Sequence, residues 1–226
     1  GATIYTALPM PQAYSKRNIL LDYTSALSNE IRDLRWTPLR VADQPVAKAV
    51  FTFEPQQVTA LRLSVTRECP GTWSIFEAHV PAPGAMASHD SWKLVNALDG
   101  NLATRWKLWR KPAPGEWLQF AFPAARTLSE IRLDTTGEPA NACLKLEGDS
   151  GSGWKQLGGE PKHDASGIDM LAVRSDAAKA MRAFGVTHLL IHKDETQASD
   201  FDTNAAAWRV RKIAESGPGR LYELLP

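Results

Sequence analysis

The feature that most constrains this chain is a period of two. Apolar and polar residues alternate in short runs at Ala47–Phe53, Ala60-Leu61-Arg62-Leu63-Ser64-Val65-Thr66 and Trp117–Phe122, and further strand-like runs lie at Trp73–Val80, 128–134, 142–147 and 154–157. Turn signals such as Pro55, Glu68-Cys69-Pro70-Gly71 and Gly148–Gly153 separate them, and Ile19–Tyr23 adds an earlier run. A strand turns successive side chains to opposite faces, so this repeat predicts half-buried strands. Short strands at this spacing predict a β-sandwich. Residues 28–36 are polar with weak periodicity, and Trp36-Thr37-Pro38-Leu39 reads as an edge strand or turn.

The texture changes after residue 168. Asp176–Phe184 predicts a helix, with Ser175 as N-cap and Gly185 as its stop. Val186–His192 reads as a buried strand, a second helix is expected around Ala205–Val210, and Arg220–Leu225 as a last strand. The expected class is mainly β, a sandwich over 19–165 followed by a small α/β subdomain over 168–226. Some 55 residues bury little surface alone, so the subdomain is expected to pack on the sandwich.

The 226 residues carry a net charge of +1, so no global field recruits nucleic acid or anionic lipid. No eighteen consecutive residues are apolar, so no segment reads as a membrane span. Cys69 and Cys143 either form one bridge, as an oxidising compartment allows, or remain two thiols, and their spacing to His gives no zinc pattern.

The run Leu98-Asp99-Gly100 … Thr104-Arg105-Trp106 … Trp117-Leu118-Gln119-Phe120 … Ile131-Arg132-Leu133 resembles the first half of discoidin-like, or coagulation-factor C-type, domains. The resemblance covers roughly residues 86–147 and implies a galactose-binding-like jelly roll. Ala60–Thr66 and Trp73-Ser74-Ile75-Phe76-Glu77 look like the last strands of that family, yet they come first here. Either one sandwich is circularly permuted, or residues 19–80 and 86–157 are two partial modules. Permutation is preferred, because a half-sandwich would expose an apolar face and unpaired edges.

The resemblance implies a structural calcium at the Asp-Gly turn. Its ligands would be the Asp99 carboxylate, Thr104, the carbonyls of Asn96 and Asn101, and Glu77, an oxygen set that suits a hard cation. The competing expectation is a solvated Asx-turn at Asp99. The resemblance also implies sugar recognition by loop aromatics and polar groups. The candidates are Trp92, Lys107, Trp109 and Arg110, with His89, Asp90 and Trp36 further out. Trp106, Trp73 and Trp117 are expected in the core. His188 and His192 share a strand face near Asp194 and Glu195, for which a solvated strand end is the preferred reading over a metal cluster. No catalytic constellation is readable.

Ala180–Asp194 with Gly219-Arg220-Leu221-Tyr222-Glu223-Leu224 is similar to the extracytoplasmic C-terminal tails of multi-spanning bacterial membrane proteins, many resembling lipid-linked-sugar glycosyltransferases. Together the two resemblances imply a non-catalytic carbohydrate-binding region on the periplasmic or extracellular face, joined to the membrane through another part of a larger protein. Its partner would be a glycan or lipid-linked sugar. The alternative is a structural or protein-interaction module that positions a membrane enzyme.

Overall fold

The computed structural model describes residues 1–8, 17–42, 46–69, 71–81, 84–89, 93–108, 110–136, 143–164 and 168–226. It is mainly β, with two sheets. The chain divides into two units, one made of residues 44–168 and the other of 1–43 together with 169–226. The first is thus an insertion, in sequence, into the second. Residues 19–42, expected in the sandwich, belong to the α/β unit instead. The strand at 19–21 was legible, but its partner could not be read from local pattern.

In the inserted unit, β3 (Val46–Val65) and β7 (Trp117–Thr136) are each 20 residues long and pair antiparallel. Their register shifts between Thr52 and Gln56 and again between Val58 and Ala60. Pro55 and Pro123 fall in these breaks, where a missing N–H costs no ladder bond. On either side of the breaks the neighbours differ. Val46–Thr52 and Glu130–Thr136 are flanked by β10 (Lys162–Asp164) and β4 (Ser74–His79), with β6 (Trp106–Lys107) beyond β4. Ala60–Ser64 and Trp117–Ala121 are flanked by β8 (Leu144–Asp149) and β5 (Gly84–Ala87), with β9 (Trp154–Gln156) beyond β8.

Phe51, Ile131, Leu133 and Ile75 from the first group join Leu61, Leu63, Leu118, Phe120 and Leu146 from the second in a single core. This arrangement is consistent with a β-sandwich. Trp73 and Trp106 are fully buried in it and meet edge to face, with centroids 4.9 Å apart. Such pairs contribute about 1 kcal/mol beyond their burial. A disulfide joins Cys69 to Cys143 across 74 residues of sequence, with Cα atoms 5.5 Å apart. Of the two cysteine alternatives, the bridge is the one formed.

In the second unit, β1 (Thr3–Thr6) runs parallel to both β2 (Asn18–Leu21) and β11 (His188–His192). β13 (Gly219–Leu224) pairs antiparallel with β11, and β12 (Val210–Ser216) with β13. Four helices accompany this sheet among the described residues: α1 (Ala26–Ala42), α2 (Met170–Ala183), α3 (Thr196–Thr203) and α4 (Ala205–Trp208). The core takes Tyr5, Leu189, Ile191 and Tyr222 from strands and Ile31, Val173, Met181, Phe201 and Trp208 from helices.

Residues 28–39, expected to be irregular or strand, lie within α1. Ser25 and Ser28 cap this helix reciprocally, each side-chain oxygen accepting the other's backbone N–H at 3.0–3.1 Å. Pro38 sits inside the helix, which is why the segment reads as a breaker. α2 starts six residues before the expected position, capped by Asp169, whose carboxylate accepts from Leu171 and Ala172. It stops where expected, at Gly185, with φ +83°. Residues 210–216, expected at a helix end, are strand β12 paired to β13.

Candidate binding surface

Strand alternation dictates which residues leave the core. With Leu61 and Leu63 buried, Arg62 and Ser64 of β3 face outward. The ladder sets Arg62 opposite Glu147 of β8 and Gln119 of β7, and Ser64 opposite Lys145 and Trp117. Gln119 in turn faces Met86 of β5, and Glu147 faces Gln156 of β9. The outer face of this sheet is therefore a row of polar and aromatic side chains with Met86 at its β5 end. A cleft of about 390 Å³ opens on it, lined by Arg62, Ser64, Thr66, Trp117, Lys145 and Glu147 among others.

The groups in this cleft are held in place. The Glu147 carboxylate accepts from Ser64 Oγ at 2.5 Å and Arg62 Nε at 3.2 Å, and pairs with Lys145 Nζ at 2.8 Å. Burial pushes its pKa up, but the Lys145 and Ser64 contacts and the Arg62 charge outweigh this and hold it below the usual carboxylate value. The Arg62 guanidinium also lies 4.2 Å from the Trp154 ring centroid, a cation–π contact that fixes its plane. Gly115, at φ +88°, also lines the cleft, and its N–H donates to the Val65 carbonyl. Trp117, expected in the core, is only partly buried and lines the cleft. The signal that finds it is the parity of Leu118 and Phe120, which point inward and leave 117 and 119 outward.

The expected sugar-binding loop resolves differently. Asp90, Trp92 and Trp109 lie outside the described residues. Arg110 and His89 come together on a residue the sequence did not single out, the buried Glu116. Arg110 Nη1 donates to Glu116 Oε2 at 3.1 Å and its Nη2 to Oε1, and His89 Nδ1 lies 3.4 Å from Oε1. The Ala113 N–H donates to Oε2 at 2.9 Å. Burial raises the Glu116 pKa, but the Arg110 and Ala113 bonds and the neighbouring charges bring it below its ordinary value. Arg110 and His89 thus brace the turn that precedes Trp117. Lys107 sits on β6, opposite Ser74. Trp106 and Trp73 are core, as expected.

The Asp-Gly turn meets the strand that the chain order had made doubtful. Glu77 Oε2 accepts from the Gly100 N–H at 2.8 Å. Asp99 Oδ1 accepts from the Asn101 N–H at 2.9 Å, an Asx-turn, and its Oδ2 from Thr104 Oγ1 at 2.8 Å. Thr104 Oγ1 also lies 2.9 Å from the Asn101 carbonyl, while Asn96 Nδ2 reaches the Arg105 carbonyl at 3.5 Å. Burial raises the Glu77 pKa; the Gly100 N–H opposes it, and Asp99 adds to it. Two carboxylates, a hydroxyl and a carbonyl are brought together, a donor set that fits a hard cation. Asp134 is buried and pairs with His79 Nε2 at 2.7 Å, and its Oδ1 lies 3.7 Å from Arg132 Nε with no hydrogen bond among the described residues.

His188, His192, Asp194 and Glu195 do not converge. His188 bonds Thr187 at 2.8 Å, His192 lies 3.4 Å from Asp194, and Glu195 pairs with the buried Arg35 at 2.8 Å. Among the described residues, no three His, Cys, Asp or Glu side chains group around one point, and no helix is long and apolar enough to cross a membrane. Comparison with known protein families, with curated proteins and with solved structures returned no match for this chain.

Proposed function

We propose that the inserted unit binds carbohydrate without turning it over, as the extracytoplasmic region of a larger membrane-anchored protein, a glycosyltransferase being the parent the sequence resembles. The observation that carries this reading is the outer-face cleft, where Trp117 stands beside Arg62, Ser64, Lys145 and Glu147. Sugar recognition asks for an apolar ring face and a few fixed polar groups beside it. Net affinity would be weak, since sugar hydroxyls exchange water bonds for protein bonds. The Cys69–Cys143 bridge supports an oxidising compartment. The finer fold we assign is the galactose-binding-like jelly roll. Asp99, Thr104, Glu77 and the Asn101 carbonyl would hold a structural calcium, with the Asn96 carbonyl completing the set that the resemblance implies.

The second reading, a module that positions a membrane enzyme without binding sugar, draws support from Arg110 and His89. Two expected sugar contacts are engaged by Glu116 instead. A glycan array probed with the wild type and with Trp117→Ala, with calcium and with chelator, separates the two. Binding that Trp117→Ala abolishes supports carbohydrate recognition. A blank array under both conditions supports the positioning module.

A further inference from the structure

We infer that the outer-face cleft selects an acidic sugar, a hexuronate residue whose carboxylate sits on Arg62 and Lys145; this rests on the carbohydrate reading above. Two cations, Arg62 and Lys145, share one carboxylate, Glu147. One positive charge is therefore left over within the cleft.

The donors are unevenly used. Among the described residues, Arg62 gives only its Nε–H to Glu147, and neither of its terminal Nη groups donates to protein. Among the described residues, Lys145 makes one ion pair, with Glu147 Oε1 at 2.8 Å, leaving further ammonium N–H groups. The hydroxyl protons are already spent within the protein. Glu147 Oε2 receives both Ser64 and Arg62, and Oε1 receives Lys145. Thr66 Oγ1 turns its proton to the Cys143 carbonyl at 2.9 Å. The donors that the cleft still offers are cationic N–H groups.

A neutral sugar hydroxyl can accept from this set of N–H groups but leaves its surplus charge unbalanced. A carboxylate uses it fully, because a guanidinium presents paired N–H groups to two coplanar oxygens. Arg62 is prepared for that geometry, held through Nε by Glu147 and stacked on Trp154. Trp117 lies next to Ser64 across the ladder and supplies the apolar face for the sugar ring. The site is thus a rigid cation beside an aromatic surface, on the sheet and not on the loops where the sequence pointed.

The test is titration calorimetry of the full chain against oligomers of galacturonate, glucuronate and mannuronate, each beside its carboxyl-reduced counterpart, with sulfated neutral oligomers as a further arm. The expected result is that at least one uronate oligomer binds about tenfold tighter than its reduced form, the worth of one charge-assisted contact. Arg62→Gln should erase that ratio, whereas Trp117→Ala should weaken acid and reduced forms alike. Circular dichroism of both variants confirms that they fold. Equal binding of acid and reduced forms overturns the acidic preference and leaves carbohydrate recognition standing. Tighter binding of the sulfated oligomers overturns the carboxylate assignment. Absence of binding to every oligomer, acidic, neutral and sulfated, overturns both readings at once.

Discussion

The carboxylate of Glu77 on β4 accepts a 2.8 Å hydrogen bond from the backbone N–H of Gly100. This contact ties the strand that looks like a domain's end to the turn that looks like its beginning. Gly100 has φ +68°, a conformation that glycine adopts without strain.

Its first consequence is a pH dependence. Burial raises the Glu77 pKa above the ordinary 4.5; the Gly100 N–H and His79 oppose this, and Asp99 and Asp134 reinforce it. The folded state therefore takes up this proton before the unfolded chain does as pH falls. Glu77 is unfavourable to stability at neutral pH, and that penalty lifts as pH drops through its folded value toward 4.5. Denaturation of wild type and Glu77→Gln across this range should show the wild type gaining relative stability as pH falls. A constant difference would exclude the assignment.

The second consequence concerns calcium. A divalent ion at the turn would relieve the repulsion between Asp99 and Glu77. A hundredfold excess over the dissociation constant should stabilise the inserted unit by about 2.7 kcal/mol at neutral pH. Melting with calcium and with chelator reads this directly, and Asp99→Asn should remove the difference. An unchanged wild-type midpoint leaves the turn as a self-satisfied Asx-turn.

Gly148 on β8 answers to packing. A Cβ built there would lie 2.7 Å from Leu157 Cδ1 and 2.8 Å from Val58 Cγ1. Both neighbours are buried, so Gly148→Ala overpacks the core and should cost about 1–3 kcal/mol. Adding Leu157→Ala removes one of the clashing groups, so the double variant should lose less than the sum of the singles. Urea denaturation of the four proteins gives the coupling.

The Cys69–Cys143 bridge closes a long loop of the unfolded chain, its cysteines 74 residues apart. In the chain-entropy account its removal costs about 4 kcal/mol. The Cys69→Ala/Cys143→Ala variant should unfold at correspondingly lower denaturant than the oxidised wild type, and reductant should shift only the wild type.

How much of this was legible follows from which forces are local. Alternation at 47–53 and 60–66 marked strand, but each run reads as its own element. Only pairing to β7 carries the chain through the register breaks around Pro55 as one 20-residue strand. The same pairing puts Arg62 opposite Glu147, 85 residues away, so the charge arrangement of the cleft could not be read from spacing. Trp117 was within reach, since Leu118 and Phe120 fix its parity. α1 was hidden because Pro38 and weak periodicity mask a helix stabilised by its cap and by packing of Ile31 and Leu34. The division into units was hidden for a similar reason: β2 finds its partner locally, but β1 also takes β11, 184 residues on.

In the α/β unit, Asp200 gathers four donor groups. Arg174 reaches it through Nε and Nη2 at 2.7–3.2 Å, Asn204 Nδ2 at 2.7 Å and Trp208 Nε1 at 2.5 Å. Burial raises the Asp200 pKa, but the Arg174, Trp208 and Asn204 contacts outweigh it and hold the carboxyl below 3.8. Arg174 is itself buried, so removing its partner's charge leaves a cation without compensation. Asp200→Asn should therefore cost about 3 kcal/mol. The sign with pH is opposite to that of Glu77. Asp200 contributes stability that is present above 3.8 and lost as pH falls through its lower folded value. The wild type should thus converge on Asp200→Asn in acid, measured as the difference in denaturation midpoint. A gap that persists unchanged below that value would place the loss in packing and not in charge.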